Sequence, residues 1–369
     1  MKAQNLKDAI KAFDPSPLEE TEVIDSFYIS RGRNLTELFN TLGDQSIKVL
    51  FSGHRGSGKT TELNYTATSL ASKYTIFNLK VGRHLDFDKA IESRDILRAI
   101  FYAAKPASES LEKTKKTVRE IIKEVFSSLS IPLDFGISGP STKDYLLALN
   151  KAIDAIEKKT GKKILLFVDD LDKQVHGIEK VLLEEGKVFD EIACSLVLTV
   201  PLTTIYSTMA NRVTEWFSRV EVLPVIPPFN KDGSLNSQGL EMLQSLVHRR
   251  MGPSLIAGSA LETACLNSGG VFRYLVKIIQ DSTFKALWAG KDKITSEDVD
   301  KSINTMRSEF GRTIGFGDYD KLREIHEKKN LINIETDVRF ISNDIVLEYQ
   351  GATRWVDVHP IVKDLLPGD

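Results

Sequence analysis

Residues Gly53-His54-Arg55-Gly56-Ser57-Gly58-Lys59-Thr60 match the phosphate-binding pattern G-x-x-x-x-G-K-[ST] at every fixed position. The glycines let the backbone turn tightly and aim its N–H groups inward, with no Cβ between the chain and a phosphate. Lys59 supplies a point charge for β- and γ-phosphates, and Thr60 supplies a hydroxyl for Mg²⁺. The candidate binding set is Gly53, His54, Arg55, Gly56, Ser57, Gly58, Lys59, Thr60 and the adjoining Thr61. His54 stands at a variable position, where it is expected only to line the loop.

The flanks suit this chemistry. Ile47-Lys48-Val49-Leu50-Phe51 is a short apolar run of the kind a buried strand needs, and residues 61–70 can form a helix. Strand, loop and helix together point a helix N-terminus at an anion. A second run, Lys163-Ile164-Leu165-Leu166-Phe167-Val168, ends in Asp169-Asp170. An apolar strand ending in acid offers a carboxylate to Mg²⁺, the role assigned to Asp169. Asp170 is then placed to orient or activate the attacking water.

Further strands are expected at 74–81, 195–200 and 219–223, alternating with helices at 88–104, 109–129 and 143–160. That alternation predicts an α/β fold with a parallel sheet. A Pro/Gly/Ser-rich break spans 130–143, and Pro224-Val225-Ile226-Pro227-Pro228 marks a boundary. Helices follow at about 235–251, 258–268, 271–289 and 295–308, the last opened by Thr295-Ser296-Glu297-Asp298. The tail reads as a hairpin, with 345–349 and 354–359 around Gln350-Gly351-Ala352-Thr353. Residues 1–46 read as a lead-in segment, extended around Phe13-Asp14-Pro15-Ser16-Pro17, with one helix after Asn34 that ends at Gly43. Trp216 and Trp288 fall on apolar helical faces and are expected in the core. His359, before Pro360, is expected to be structural.

The bulk properties restrict the setting. The chain has 369 residues, 41% apolar and 27% charged, with a net charge of −2. The length suits two or three domains. The charge predicts no global attraction to nucleic acid or anionic lipid. No apolar run approaches the roughly 20 residues of a membrane span, and the first residues lack the apolar stretch of a leader peptide. Cys194 and Cys265 are too few and too separated for a disulfide framework or a metal cluster. A cytoplasmic protein is expected.

Lys59-Thr60 and Asp169-Asp170 resemble the Walker A and Walker B elements of AAA+ and STAND-type P-loop ATPases. The resemblance covers most of the chain and has an origin-recognition/Cdc6-like layout. It implies a parallel-sheet P-loop core over 47–228, a helical lid over 229–308 and a C-terminal winged-helix domain over 309–369. Phe27 to Arg33 resembles the entry segment near the adenine, which brings Arg31 and Arg33 into the binding set. Thr199 falls where the family places a polar sensor. Ser268-Gly269-Gly270-Val271-Phe272-Arg273 resembles the start of the second sensor helix, from which Arg273 would reach the γ-phosphate. The implied cofactors are ATP or ADP with Mg²⁺, and the implied activity is slow ATP hydrolysis.

Asp169-Asp170 departs from the Asp-Glu of most AAA+ proteins and is more typical of STAND switches and KAP-type ATPases. The KAP group usually carries inserted membrane helices, and none are found here. Arg212 and Arg219 lie roughly where an arginine finger serves a neighbour's nucleotide, although surface roles fit both equally well. The implied output is homo-oligomerisation or partner-protein binding, with bacterial defence as one setting. An origin-recognition-like DNA binder is the alternative. From Asp318 to Asp369 there are seven basic and eleven acidic residues, and seven minus eleven is −4. Phosphate contacts need clustered Lys and Arg, so this acidic tail favours a protein partner over DNA.

Overall fold

A computed structural model of the chain describes residues 2–32, 34–42, 45–86, 89–104, 120–121, 124–125, 140–173, 177–206, 210–213, 215–351 and 353–366. Arg33, Gly43 and most of the expected helix 109–129 and loop 130–143 lie outside the described residues. The chain divides into two compact units. One comprises Leu35–Ser52 and Thr66–Val222; the other comprises Met1–Asn34, Gly53–Tyr65 and Leu223–Asp369.

The first unit is built on five parallel strands: β1 Lys48–Ser52, β2 Tyr74–Lys80, β3 Lys163–Asp169, β4 Ser195–Thr199 and β5 Arg219–Val222. Their order in the sheet is β2-β3-β4-β1-β5. The expected α/β class and parallel sheet are what the chain adopts. The near-continuous apolar runs are covered on both faces, and every residue of β1 and β4 is buried. Helices Ser93–Ala103 and Thr142–Thr160 lay Ile96, Leu97, Ile100, Tyr145, Leu149 and Ile153 into this core. The first of these starts at Ser93 rather than 88, where Glu92 and Asp95 bond reciprocally across the N-terminus. The strand order reverses between β1 and β4, because the chain leaves β1 toward β2 and leaves β4 toward β5. The carboxyl ends at such a reversal form the crevice in which open α/β sheets bind ligands.

The second unit contains four longer helices, Ser237–Arg250, Gly258–Asn267, Phe272–Trp288 and Ser296–Gly311. Helices Tyr319–Lys328 and Ile334–Ser342 follow, then the antiparallel pair β6 Val346–Tyr349 and β7 Trp355–Val358. Thr295 opens its helix as expected, with its N–H donating to Asp298 Oδ2 at 2.9 Å.

The helix expected after Asn34 is present at Leu35–Leu42, but the segment before it differs from expectation. It forms helices Leu6–Ala12 and Thr21–Phe27. Asn5 caps the first by accepting from the Asp8 N–H at 2.9 Å. Between the two helices, the buried Arg250 guanidinium lies 5.9 Å from the Phe13 ring centroid and 5.3 Å from that of Phe27, and donates to Ala12 O. These contacts are distant in sequence, and local periodicity carries no sign of them. Trp288 is a correction: it is 82% exposed at the end of its helix, beyond the residues that face the core. Trp216 sits in a bend after a helix rather than on one, half-buried against the sheet core.

Candidate functional site

The phosphate loop has the backbone that its sequence demands. Gly53, Gly56 and Gly58 hold φ of 146°, 78° and 100°, which side-chain-bearing residues rarely adopt. The helix Lys59–Leu70 starts at the lysine, so the unsatisfied N–H groups of its first turn end the loop. Lys59 is buried, and its ammonium donates to Gly53 O at 2.8 Å and His54 O at 3.1 Å. Ser57 Oγ is buried and has no hydrogen-bond partner among the described residues. A cationic head folded over the loop and a buried hydroxyl able to donate both fit an anionic phosphate chain.

Two arginines buttress this loop. Arg31 donates from Nη1 to Ser57 O at 2.8 Å and to Pro224 O at 2.9 Å, and its guanidinium lies over the Phe272 ring at 4.7 Å. Burial lowers its pKa to about 10, with Glu62 and Tyr28 opposing the shift. Arg273, at the start of helix Phe272–Trp288, donates its backbone N–H to Gly56 O at 3.1 Å. A Cβ built on Gly56 would overlap the Arg273 Cβ and lie 2.9 Å from its Nε, so glycine is what admits this arginine to the loop. Arg55 is exposed, and Thr60 and Thr61 are half-buried at the helix start; Thr61 Oγ1 accepts from the Leu18 N–H at 3.2 Å.

His54 is 3% exposed and does more than line the loop. Its Nδ1 lies 3.0 Å from Asp344 Oδ1, and its Nε2 accepts from the Glu348 N–H at 2.7 Å. Asp344 Oδ2 accepts from the Tyr274 hydroxyl at 3.1 Å. Burial first, and then the Asp344 carboxylate, hold that phenol well above its ordinary pKa, so it stays a donor.

In the sheet unit, Asp169 ends β3 and Thr199 ends the neighbouring β4, both buried. Thr199 Oγ1 faces Val168 O at 3.5 Å. Asp170 follows at φ 80°, its N–H donating to Asp169 Oδ1 at 2.9 Å, and its carboxylate pairs with Lys173. Gly82, in the turn after β2, packs on this residue: a Cβ there would lie 2.9 Å from the Asp170 Cβ. Arg212 is exposed on the short helix Ala210–Val213. Arg219 is exposed at the first residue of β5, at the amino end of the sheet rather than the carboxyl end.

The structure therefore gathers Arg31, the phosphate loop with Lys59, and Arg273 in one unit. It gathers Asp169, Asp170 and Thr199 at adjacent strand ends in the other. Gly82, Tyr274 and Asp344 were not singled out from the sequence. A glycine just after a strand was the only signal for the first, and the other two gave none.

No protein-family model matches the chain, and no curated protein does. Among solved structures, the chain is similar to the Aeropyrum pernix ORC2 protein, solved in ADPNP and ADP complexes. The identity is 13%, over 95% of this chain and 93% of that one, with a TM-score of 0.52. It is also similar to Cdc6p from Pyrobaculum aerophilum, at 15% identity over 97% of this chain and 98% of that one, with a TM-score of 0.46. At this identity the first likeness bears on the fold alone, an α/β fold built on a five-stranded parallel sheet.

Proposed function

We propose that the chain is an ATP-binding, Mg²⁺-dependent molecular switch that hydrolyses ATP slowly and couples nucleotide state to self-assembly or to a partner protein. The observation that carries this reading is the phosphate loop itself. Its three left-handed glycines, the Lys59 ammonium folded over loop carbonyls and the Arg273 backbone bonded to Gly56 O form a phosphate cradle tied to a helix. The fold relative from Aeropyrum pernix was solved with ADPNP and ADP, which supports a nucleotide as the ligand.

In this reading the core spans 47–228, the lid 229–308 and a winged-helix module 309–369. Bound Mg²⁺ and ATP supply a phosphoryl group activated for transfer to water. Lys59 and the loop amides would hold phosphate oxygens, and Thr60 beside them would offer its hydroxyl to the metal; in the sheet unit, Asp169 is the carboxylate of the kind that would hold Mg²⁺. Asp170 orients the attacking water, with its carboxylate first leaving Lys173. In the sheet unit Thr199 is the polar sensor, and in the loop's own unit Arg273 would read the γ-phosphate and carry that reading into the lid helix. Arg212 remains an exposed candidate for a neighbour's nucleotide. No helix among the described residues is long and apolar enough to cross a membrane.

The test is the mass of the full chain in solution with ADP, and with ATP plus Mg²⁺, using Lys59→Ala as the blank. A larger species with ATP, absent in the variant, supports the switch. A mass that never changes removes assembly from the reading, and salt-sensitive DNA binding by a loaded monomer becomes the next assay.

A further inference from the structure

His54 occupies a position of the phosphate loop that the loop's own chemistry leaves open, yet it is buried and held from both sides. The Glu348 backbone N–H can only donate, so Nε2 must carry the lone pair. Nδ1 then carries the proton and donates to Asp344. The imidazole is therefore neutral, with both nitrogens committed to the segment that opens the C-terminal hairpin.

That segment is shaped for the contact. Asp344 sits at φ 55° two residues before β6 and brings one carboxylate oxygen to His54 and the other to Tyr274. Tyr274 is the neighbour of Arg273, whose backbone is bonded to the phosphate loop at Gly56. Glu348 lies within β6, paired with Val356 of β7. The hairpin is also tied to the glycine turn before the lid helix, where the Tyr349 hydroxyl donates to Gly269 O at 3.0 Å. A closed path thus runs from the loop through His54 to Asp344, to Tyr274, and back through Arg273 to the loop.

We propose that the buried His54–Asp344–Tyr274 junction positions the phosphate loop from the C-terminal module and makes the nucleotide state of the loop legible to the β6–β7 hairpin. The inference rests on the nucleotide reading above and deepens it by naming the transmitting residues. A phosphate that draws Lys59 off Gly53 O and His54 O changes the backbone that carries the imidazole. The imidazole has no spare nitrogen with which to absorb that change. The Glu348 N–H and the Asp344 carboxylate must follow it or lose their bonds. Coupling of this kind is reciprocal, so a hairpin held elsewhere by a partner must alter nucleotide affinity by the same factor.

Hydrogen–deuterium exchange on the full chain, with no nucleotide, with ADP, and with ATP plus Mg²⁺, reads the junction at the Glu348 amide. Asp344→Gly removes the carboxylate at a positive φ that glycine accepts without strain. Tyr274→Phe removes a single bond and keeps the ring. In wild type, nucleotide is expected to change Glu348 exchange at least about fivefold, the lower end of ordinary coupling. In Asp344→Gly that response collapses while nucleotide still binds, with a shifted dissociation constant, and Tyr274→Phe falls between. Wild-type responses and affinities in both variants would overturn the proposal. If wild type binds nucleotide but Glu348 does not respond, the junction alone falls. If wild type binds neither nucleotide, the functional reading falls and takes the junction with it.

Discussion

Gly56→Ala tests the seat of Arg273 on the phosphate loop. Two effects add. At φ 78° an alanine is strained by about 1 kcal/mol relative to glycine. Its Cβ would also overlap the Arg273 Cβ, and an ordinary carbon contact needs about 3.5–4.0 Å. The arginine backbone must therefore retreat by on the order of 1 Å, which breaks the Arg273 N–H bond to Gly56 O and removes about 1 kcal/mol more. With some packing lost, the total is about 2–3 kcal/mol. Gly58→Ala is the internal control. It stands at φ 100°, but the nearest atom to its Cβ would be Arg31 Nη2 at 3.6 Å, so it carries the backbone strain alone.

The assay is thermal melting without nucleotide, followed by tryptophan fluorescence. Trp288 and Trp355 both belong to the unit that contains the loop. At about 2–4 °C per kcal/mol for a domain of this size, Gly56→Ala should melt below Gly58→Ala by roughly 2–8 °C. The overlap also acts only while Arg273 is seated, so ATP affinity should fall about 5–30-fold in Gly56→Ala. If the two variants melt together, Arg273 is not seated on Gly56 in solution and the argument for a helix tethered to the loop fails.

Three further outcomes are expected. Arg31→Lys cannot reproduce a planar fork bonded to Ser57 O and Pro224 O over Phe272, and should destabilise the chain by about 2 kcal/mol; an unchanged melting temperature would show that these contacts contribute nothing. Asp170→Asn keeps a residue that tolerates positive φ and loses only a pairing with a lysine that is largely exposed, so stability should change by less than about 1 kcal/mol. Steady-state ATP turnover should nonetheless drop at least about 100-fold with nucleotide affinity retained, and wild-type turnover would remove Asp170 from the chemistry. Burial holds the His359 pKa down at about 3, with Asp344 opposing and Lys363 reinforcing the shift. The unfolded chain therefore takes up the proton first. Stability from this group is complete above about pH 6.5 and falls by about 1.4 kcal/mol per pH unit from there to about pH 3; urea titrations at pH 5 and 6 should show that slope in wild type and lose it in His359→Asn.

The legible and illegible parts of this chain differ by a physical rule. Strands β1, β3 and β4 were readable because burial on both faces forces an unbroken apolar run, and the Thr295 helix start was readable because its cap is complete within four residues. The phosphate loop was readable for the same reason: its glycines, lysine and threonine act within eight positions. Helices Leu6–Ala12 and Thr21–Phe27 were not, because what stabilises them includes Arg250, which donates to Ala12 across 238 positions. Trp288 misled because helical spacing identifies a face and does not say where the core ends.

His54 is the sharpest case of that rule. Within the loop its side chain has no assigned work, so a sequence reading leaves it as lining. Its partner Asp344 is 290 positions away, in a segment whose residues look like an ordinary turn before a strand. The Asp344 backbone at φ 55° has a cost for any residue but glycine, with Asn and Asp the least penalised. That cost is met by two hydrogen bonds, to His54 and Tyr274, that exist only when the loop, helix Phe272–Trp288 and the hairpin are all in place. Substituting Asp344 leaves both His54 and Tyr274 with polar atoms to satisfy, and substituting either of those leaves one Asp344 oxygen without its partner. The effects of His54, Asp344 and Tyr274 variants on nucleotide affinity should therefore be strongly non-additive, with the double variant Asp344→Gly/Tyr274→Phe little worse than Asp344→Gly alone. Additive losses would mean that the three side chains support the loop independently and do not form one junction.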